Sequence, residues 1–384
     1  MFLNKKNIFF NIYSFSLVLV FLKTFSFKFF WNIPTSAFLV LNIVCFVLFM
    51  LETKELDQSN LVYIFFTTLI IFLQIFSNNL VGGVGQILNI FVIMFFLLIS
   101  NERKIQFFHL LMQIYIYISV ISLFGWILVY IIKISIPYRI VEFQHYKFYD
   151  YYLFNARVEG IAFTRYLGMF IEPGYTGVMN VLLLVGNNFD LKKRENKLLL
   201  LCTVFTLSLA AYLLLFIYLF LQMFKSKKVR LFFASVFIFL LIMYIQFGSD
   251  DEFLLTRFLF NRIEDMLSGN ITGNRFTEKF EILFDTFIHS KKIFLGIGSE
   301  FFNTLKLNSC GYKVYIFQFG ILNTLLVVLV YFIYSIRYIN RNVIVFFIIW
   351  VASFVDLGYP TWLCFIFVYF AGISNIFFTQ KEIS

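Results

Sequence analysis

LLLLCTVFTLSLAAYLLLFIYLFLQMF (198–224) runs for 27 residues without a charge, between the basic stretches DLKKRENK (190–197) and KSKKVR (225–230). As one helix it reaches about 40 Å, enough for a tilted pass through a hydrocarbon core roughly 30 Å thick. A single pass would leave one strongly basic loop on each side of the membrane. Short loops rich in Lys and Arg stay on the cytoplasmic side. The stretch therefore predicts a hairpin of two short or broken helices, turning near Ser208 and returning to the face it left. Such a turn is tolerated only where neighbouring protein shields its backbone.

Working outward, the same pattern repeats. Hydrophobic residues make up 61% of the 384 positions, charged residues 14%, and Phe alone supplies 58. Soluble domains average about 45–50% apolar and about 25% charged, so lipid must be the solvent for most of this chain. Apolar runs predict spans at 8–22, 33–51, 61–77, 86–100, 108–132, from Glu172–Pro173 to 189, at 231–247, and at 314–336, 343–356 and 361–378. No small-residue cleavage site follows the first run, which is expected to remain as a span. With the hairpin, the fold class is an all-α polytopic membrane protein of about 12 membrane segments, or about 11 if 198–224 crosses once. It forms a single integral membrane domain over 1–384.

The net charge of +10 is topology information, not a nucleic-acid signal. Lys5, Lys6, Arg103, Lys104, the two loops above, Arg337 and Arg341 fall on one side when crossings alternate. Two larger polar segments, 133–171 and 248–312, then lie outside. The second carries Arg257, Arg262, Arg275, Lys279, Lys291, Lys292 and Lys306. Long loops escape the positive-inside bias, so this charge fits either headgroup attraction or an anionic ligand held by arginine forks. Cys45, Cys202, Cys310 and Cys364 have no metal-ligand spacing.

NARVEGIAFTRYLGMFIEPGYTG (155–177) is the polar entry to a span. Pro173 suits the first turn of a helix, with Glu172 at the cap position, where the helix dipole favours a carboxylate. An ionisable group at the membrane boundary alternatively faces a cavity or a partner. Arg165 and Arg157 precede Glu172 closely enough for the loop to fold either guanidinium back onto it. Gly168, Gly174 and Gly177 allow close backbone approach. The aromatics of HYKFYDYYLF (145–154) suit either a membrane interface or stacking on sugar rings.

RYLGMFIEPGYTG (165–177) resembles the arginine–glycine–phenylalanine–glutamate–proline signature of the O-antigen polymerase (Wzy) and O-antigen ligase superfamily. Arg165, Gly168, Phe170, Glu172 and Pro173 match it position by position. TLSLAAYLLLFIYLF (206–220) looks like the family's threonine-x-serine segment, with Leu209 and Ala210 where an Arg-Gly or Arg-Thr pair normally stands. NRFTEKFEILFDTFIHSKKIFLGIGSEFF (274–302) is similar to a later block. There Arg275 opens a short helix, and His289-Ser290 stands for a His-Pro turn before Gly296 and Gly298. NSCGYKVYIFQFGILNTLLVVLVYF (308–332) follows the family's polar start, glycine (Gly320) and closing span. The similarity covers about 155–335 of the chain, in the family's order.

The resemblance implies a bundle like the integral-membrane C-type glycosyltransferases and a metal-independent polymerase without a cofactor. Such enzymes join oligosaccharide repeat units carried on undecaprenyl pyrophosphate, on the periplasmic face of the bacterial cytoplasmic (inner) membrane. The product would be O-antigen (lipopolysaccharide) or capsule. A chain-length regulator and a flippase are implied partners; nucleic acid is not. Breaking the sugar–phosphate bond builds negative charge that fixed arginines stabilise. Arg165 and Arg275 are expected there, with Arg157, Arg257 and Arg262 as further substrate contacts beside Gly168 and Pro173. Glu172 and His289 are the candidate bases for the acceptor hydroxyl. No acidic pair with metal-ligand spacing appears in the outer segments, and GIGSEF (296–301) is too short a glycine pattern for a dinucleotide site. A ligase moving glycan to lipid A core or protein, and a lipid-linked oligosaccharide flippase, are the competing readings. No internal repeat of the kind transporters show supports the last.

Overall fold

In a computed structural model the described residues are 8–53, 56–77, 83–143, 146–158, 165–223, 278–305, 311–354 and 360–381. Five helices open the chain: α1 (Ile8–Thr24), α2 (Thr35–Thr53), α3 (Leu61–Ser77), α4 (Gly83–Leu98) and α5 (Asn101–Tyr130). Three strands follow: β1 (Arg139–Phe143), β2 (Tyr146–Asp150) and β3 (Asn155–Arg157). Then come α6 (Pro173–Gly186), α7 (Arg194–Phe205), α8 (Leu209–Met223), α9 (Glu278–Ile288) and α10 (Ser299–Leu305). The chain closes with α11 (Gly311–Arg337), α12 (Arg341–Ser353) and α13 (Leu363–Lys381). The span expected at 231–247 lies outside the described residues, as do Arg257, Arg262 and Arg275.

The architecture is that of a helical membrane protein. Four helices are long and apolar enough to cross a bilayer: α2, α3 with the turn before it, α5 and α11. Six shorter apolar helices accompany them. Large apolar side chains such as Leu51, Phe65 and Phe124 stand exposed, as lipid solvent permits. In the centre, every residue from Leu363 to Ile376 of α13 is buried. A helix that is apolar all round belongs in such a place, and α13 packs against α1, α4, α5, α6 and α12. Gly186 and Gly372 let α6 and α13 approach closely; a Cβ on either would sit 3.5 Å from the other's Cα.

The 198–224 stretch folds back on itself. α7 ends at Phe205, Leu207 takes a φ of +46° and α8 begins at Leu209. Asn196, near the start of α7, bonds Asn187 at the end of α6 (2.9 Å). Tyr218, near the end of α8, stacks on Phe189 at 4.5 Å. The turn instead meets the start of α6, where a Cβ on Gly177 would touch Thr206 and Ala211. Both halves thus flank α6 in opposite directions, and the ends of the hairpin lie together. Packing on α5, α6 and α12 supplies the protein shield that short membrane segments require.

One end of the bundle gathers basic residues. Arg337 bonds Ser59 O and Asn60 Oδ1, each at 3.0 Å. Asn101 reaches Tyr338 (2.9 Å), Arg341 reaches Leu221 O (2.8 Å) and Lys193 reaches Asn187 (3.1 Å). NERK (101–104) is helical rather than a loop. Ser100 caps α5 by accepting from Arg103 N, so the helix starts before the apolar run does.

The opposite end carries what the all-α expectation lacks, an antiparallel sheet in the order β1-β2-β3. Its alternating burial, with Phe148 and Asp150 buried between exposed or half-exposed neighbours, is the period-2 pattern of a strand lying on a core. Lys28, in the turn between α1 and α2, reaches Asp150 Oδ1 (2.6 Å), and Arg139 Nε reaches Oδ2 (2.9 Å). The same end holds a crossing of two backbones. Ile297 and Gly298 donate to Phe317 O and Gln318 O at 3.0 and 2.9 Å. Gly320 breaks α11 there with a φ of +78°, and Gly296 has a φ of +80°. A Cβ on Gly296 would overlap the Gln318 carbonyl, and one on Gly320 the Phe294 carbonyl.

Candidate functional site

Glu172 precedes Pro173, the first residue of α6, in extended backbone with φ −140° and ψ 136°. It stands at the cap position, as the sequence predicts, but its carboxylate makes no cap hydrogen bond to the helix. Its carbonyl accepts the first helical hydrogen bond, from Thr176 N (3.1 Å), and a second bond from Thr176 Oγ1 (3.0 Å). The side chain turns toward the sheet. Arg157 Nη2 donates to Glu172 Oε1 at 2.9 Å, and Tyr146 Oη donates to the same oxygen at 3.3 Å.

Strand pairing makes this meeting possible. Phe148 opposes Arg157 across β2 and β3, and Tyr146 lies two residues from Phe148 on the same face. Arg157 Cζ therefore sits 3.9 Å from the centroid of the Tyr146 ring. The ring face attracts the cation while the phenol serves the carboxylate. Burial, and then the Glu172 charge, raise the Tyr146 phenol above its ordinary value, so it remains a donor. Side chains of Arg157 and Glu172 are 29% and 20% exposed, which leaves the pair accessible at the rim. Arg157 Nε is buried without a hydrogen-bond partner among the described residues, so the guanidinium fork is only partly used.

The floor beneath is closely packed. Phe170 stacks on Tyr115 at 5.6 Å and meets Phe25 edge-on at 4.7 Å. Gly168 adopts a φ of +66° and accepts from Asn155 N (2.8 Å), locking β3 to the segment before α6. Tyr175, in the first turn of α6, meets Trp362 at the start of α13 edge-on at 6.3 Å.

Sequence-predicted residues thus separate. The structure brings Arg157 and Glu172 together, with Gly168 and Pro173 in the segment that holds them. Arg165 goes elsewhere: its Nε donates to Thr206 O (3.0 Å) at the tip of the α7–α8 hairpin. Among the described residues Glu172 receives no hydrogen bond from Arg165 or His289. His289 stands exposed beyond the end of α9, 3.9 Å from Asp285. Tyr146 was legible only as one aromatic among many, because the cross-strand register that aims it at Glu172 has no local sequence signal. Among the described residues no His/Cys/Asp/Glu group is arranged to hold a metal.

The chain matches no family model, no curated protein and no solved structure.

Proposed function

We propose that the chain is a membrane glycosyltransferase that polymerises surface polysaccharide from repeat units linked to undecaprenyl pyrophosphate. The basic end faces the cytoplasm, about 12 segments lie in the bacterial inner membrane, and the sheet-bearing end faces the periplasm. One observation carries the reading: a hydrogen-bonded Arg157–Glu172–Tyr146 cluster sits at the mouth of the bundle, at the end away from the short basic loops. Its Glu172 belongs to the segment, 165–177, that resembles the polymerase signature.

In the proposed reaction the acceptor hydroxyl attacks the anomeric carbon of the donor sugar. The bond from that carbon to the phosphate oxygen breaks, and undecaprenyl pyrophosphate leaves with both electrons. Arginine donors stabilise the departing charge, and Arg157 joins Arg165 and Arg275 for that role because its side chain stays partly exposed at the rim. Glu172 accepts or orients the hydroxyl proton, with His289 as the second candidate. Donor pyrophosphate supplies the driving force, so the reading requires no nucleotide.

Replacement of Arg157 by Ala, Arg165 by Ala or Glu172 by Gln in the native strain tests it by gel analysis of surface glycan. A polymerase defect leaves single repeat units on the acceptor, with long chains reduced at least about 100-fold, the usual scale for a lost charge-stabilising donor. Loss of even single units indicates the ligase or flippase reading. Normal long chains in all three variants overturn the site.

A further inference from the structure

At the basic end, remote from this site, α8 and α12 part to leave a groove. It is an open groove of about 460 Å³, lined by Leu221 of α8, by Ile339 and Asn340 just before α12, and by Ile344, Val345 and Ile348 of α12, with Arg341 on its border. Ile339, Ile344 and Ile348 are exposed, so the groove opens on the lipid-facing surface. Arg341 donates one Nη2 to Leu221 O (2.8 Å), which pins the guanidinium across the groove. Its remaining donors form no hydrogen bond among the described residues. Arg341 is the one charged residue among the described residues that line the groove.

We propose that this groove holds one acyl chain of an anionic phospholipid, with the phosphate against Arg341. Two facts select that occupant over a peptide or a zwitterionic lipid. The walls are almost wholly apolar and face the bilayer, where the available apolar chains are lipid tails. The border carries positive charge and, among the described residues that line the groove, no acid, as in basic pockets between membrane helices that bind anionic headgroups. A tail gains little hydrophobic free energy by moving from bilayer to groove, because both are apolar. Shape therefore sets whether a lipid is held, and Arg341 sets which headgroup it carries. Anchored there, the lipid would brace α8, the outgoing arm of the hairpin, against α12.

Native mass spectrometry of the full chain in detergent, titrated with dioleoyl-phosphatidylglycerol or dioleoyl-phosphatidylcholine, tests this. Wild type retains one phosphatidylglycerol with about fivefold or greater preference, the ratio expected for one basic side chain beside an anionic headgroup. Arg341→Gln keeps an amide for Leu221 O, so it loses the preference and still retains phosphatidylcholine. Ile348→Trp fills the groove and loses retention of both lipids, whereas Leu329→Trp, on the exposed face of α11, behaves as wild type. Equal retention of the two lipids by wild type, or wild-type retention by both groove variants, overturns the proposal.

Discussion

Asp150 shows how much one side chain can hold at the sheet-bearing end. It is 5% exposed, and it joins the α1–α2 turn through Lys28, which is 8% exposed, to the sheet through Arg139 and Tyr152 N. Burial alone would raise its carboxyl, but hydrogen bonds from Lys28 and Arg139 outweigh it and leave the group below the usual carboxylate range. A carboxyl depressed in the fold contributes stability that is complete above its unfolded value of about 4 and is lost as pH falls through the folded value. Asp150→Asn leaves Lys28 buried without its charge partner, a change that costs about 3 kcal/mol in comparable sites. The expected outcome is an unfolding temperature in detergent well below wild type at pH 7, with the gap closing as pH drops below about 4. An unchanged gap at low pH would place the stabilising charge elsewhere. None of this was legible in the sequence, where Lys28 and Asp150 are 122 positions apart. The Arg157–Glu172 pairing was half legible. Spacing admitted two arginines, and only the strand register selects between them.

Among the elements, the hairpin was the most legible, because loop charge constrains topology where hydropathy is continuous. Thr206–Ser208 breaks the helix where the polar residues stand, and the two halves return to one end. The sheet was not legible: RIVEF and YKFYD sit in a loop rich in aromatics and charge, where alternation of burial is visible only once a core lies beneath. The Gly296–Gly320 crossing was read as part of a resemblance, and its physical need appears only in three dimensions. Each glycine has a positive φ and lies against the opposite chain's carbonyl. Gly320→Ala therefore incurs both backbone strain and a steric clash, and an expected loss of about 2–4 kcal/mol. Thermal unfolding in detergent measures it. A loss under about 0.5 kcal/mol, the level of an ordinary surface change, would mean that the crossing relaxes freely.

For the whole molecule, cations stand at both ends among the described residues, and what sets the basic end apart is that its cations lie at short connections. Lys192 and Lys193 lie in a short connection between α6 and α7, whereas Lys291 and Lys292 belong to a longer segment between α8 and α11. The positive-inside rule acts on the first kind and not the second. It follows that Lys192→Cys should be shielded from an impermeant maleimide added to intact cells, while Lys291→Cys and Tyr152→Cys should label. Cys45, Cys202 and Cys364 are buried, and Cys310, outside the described residues, is replaced by Ser in this background. Labelling is read after permeabilisation as well, so that a Cys that never reacts is recognised as buried rather than cytoplasmic. Tyr152 is 54% exposed beside Asp150, on the side where Glu172 meets Arg157. Labelling of Lys192→Cys from outside, with Tyr152→Cys protected, would invert the molecule and put the cluster in the cytoplasm. Sugars carried on an outward-facing lipid could not then reach it, and the polymerase reading would fall with the orientation.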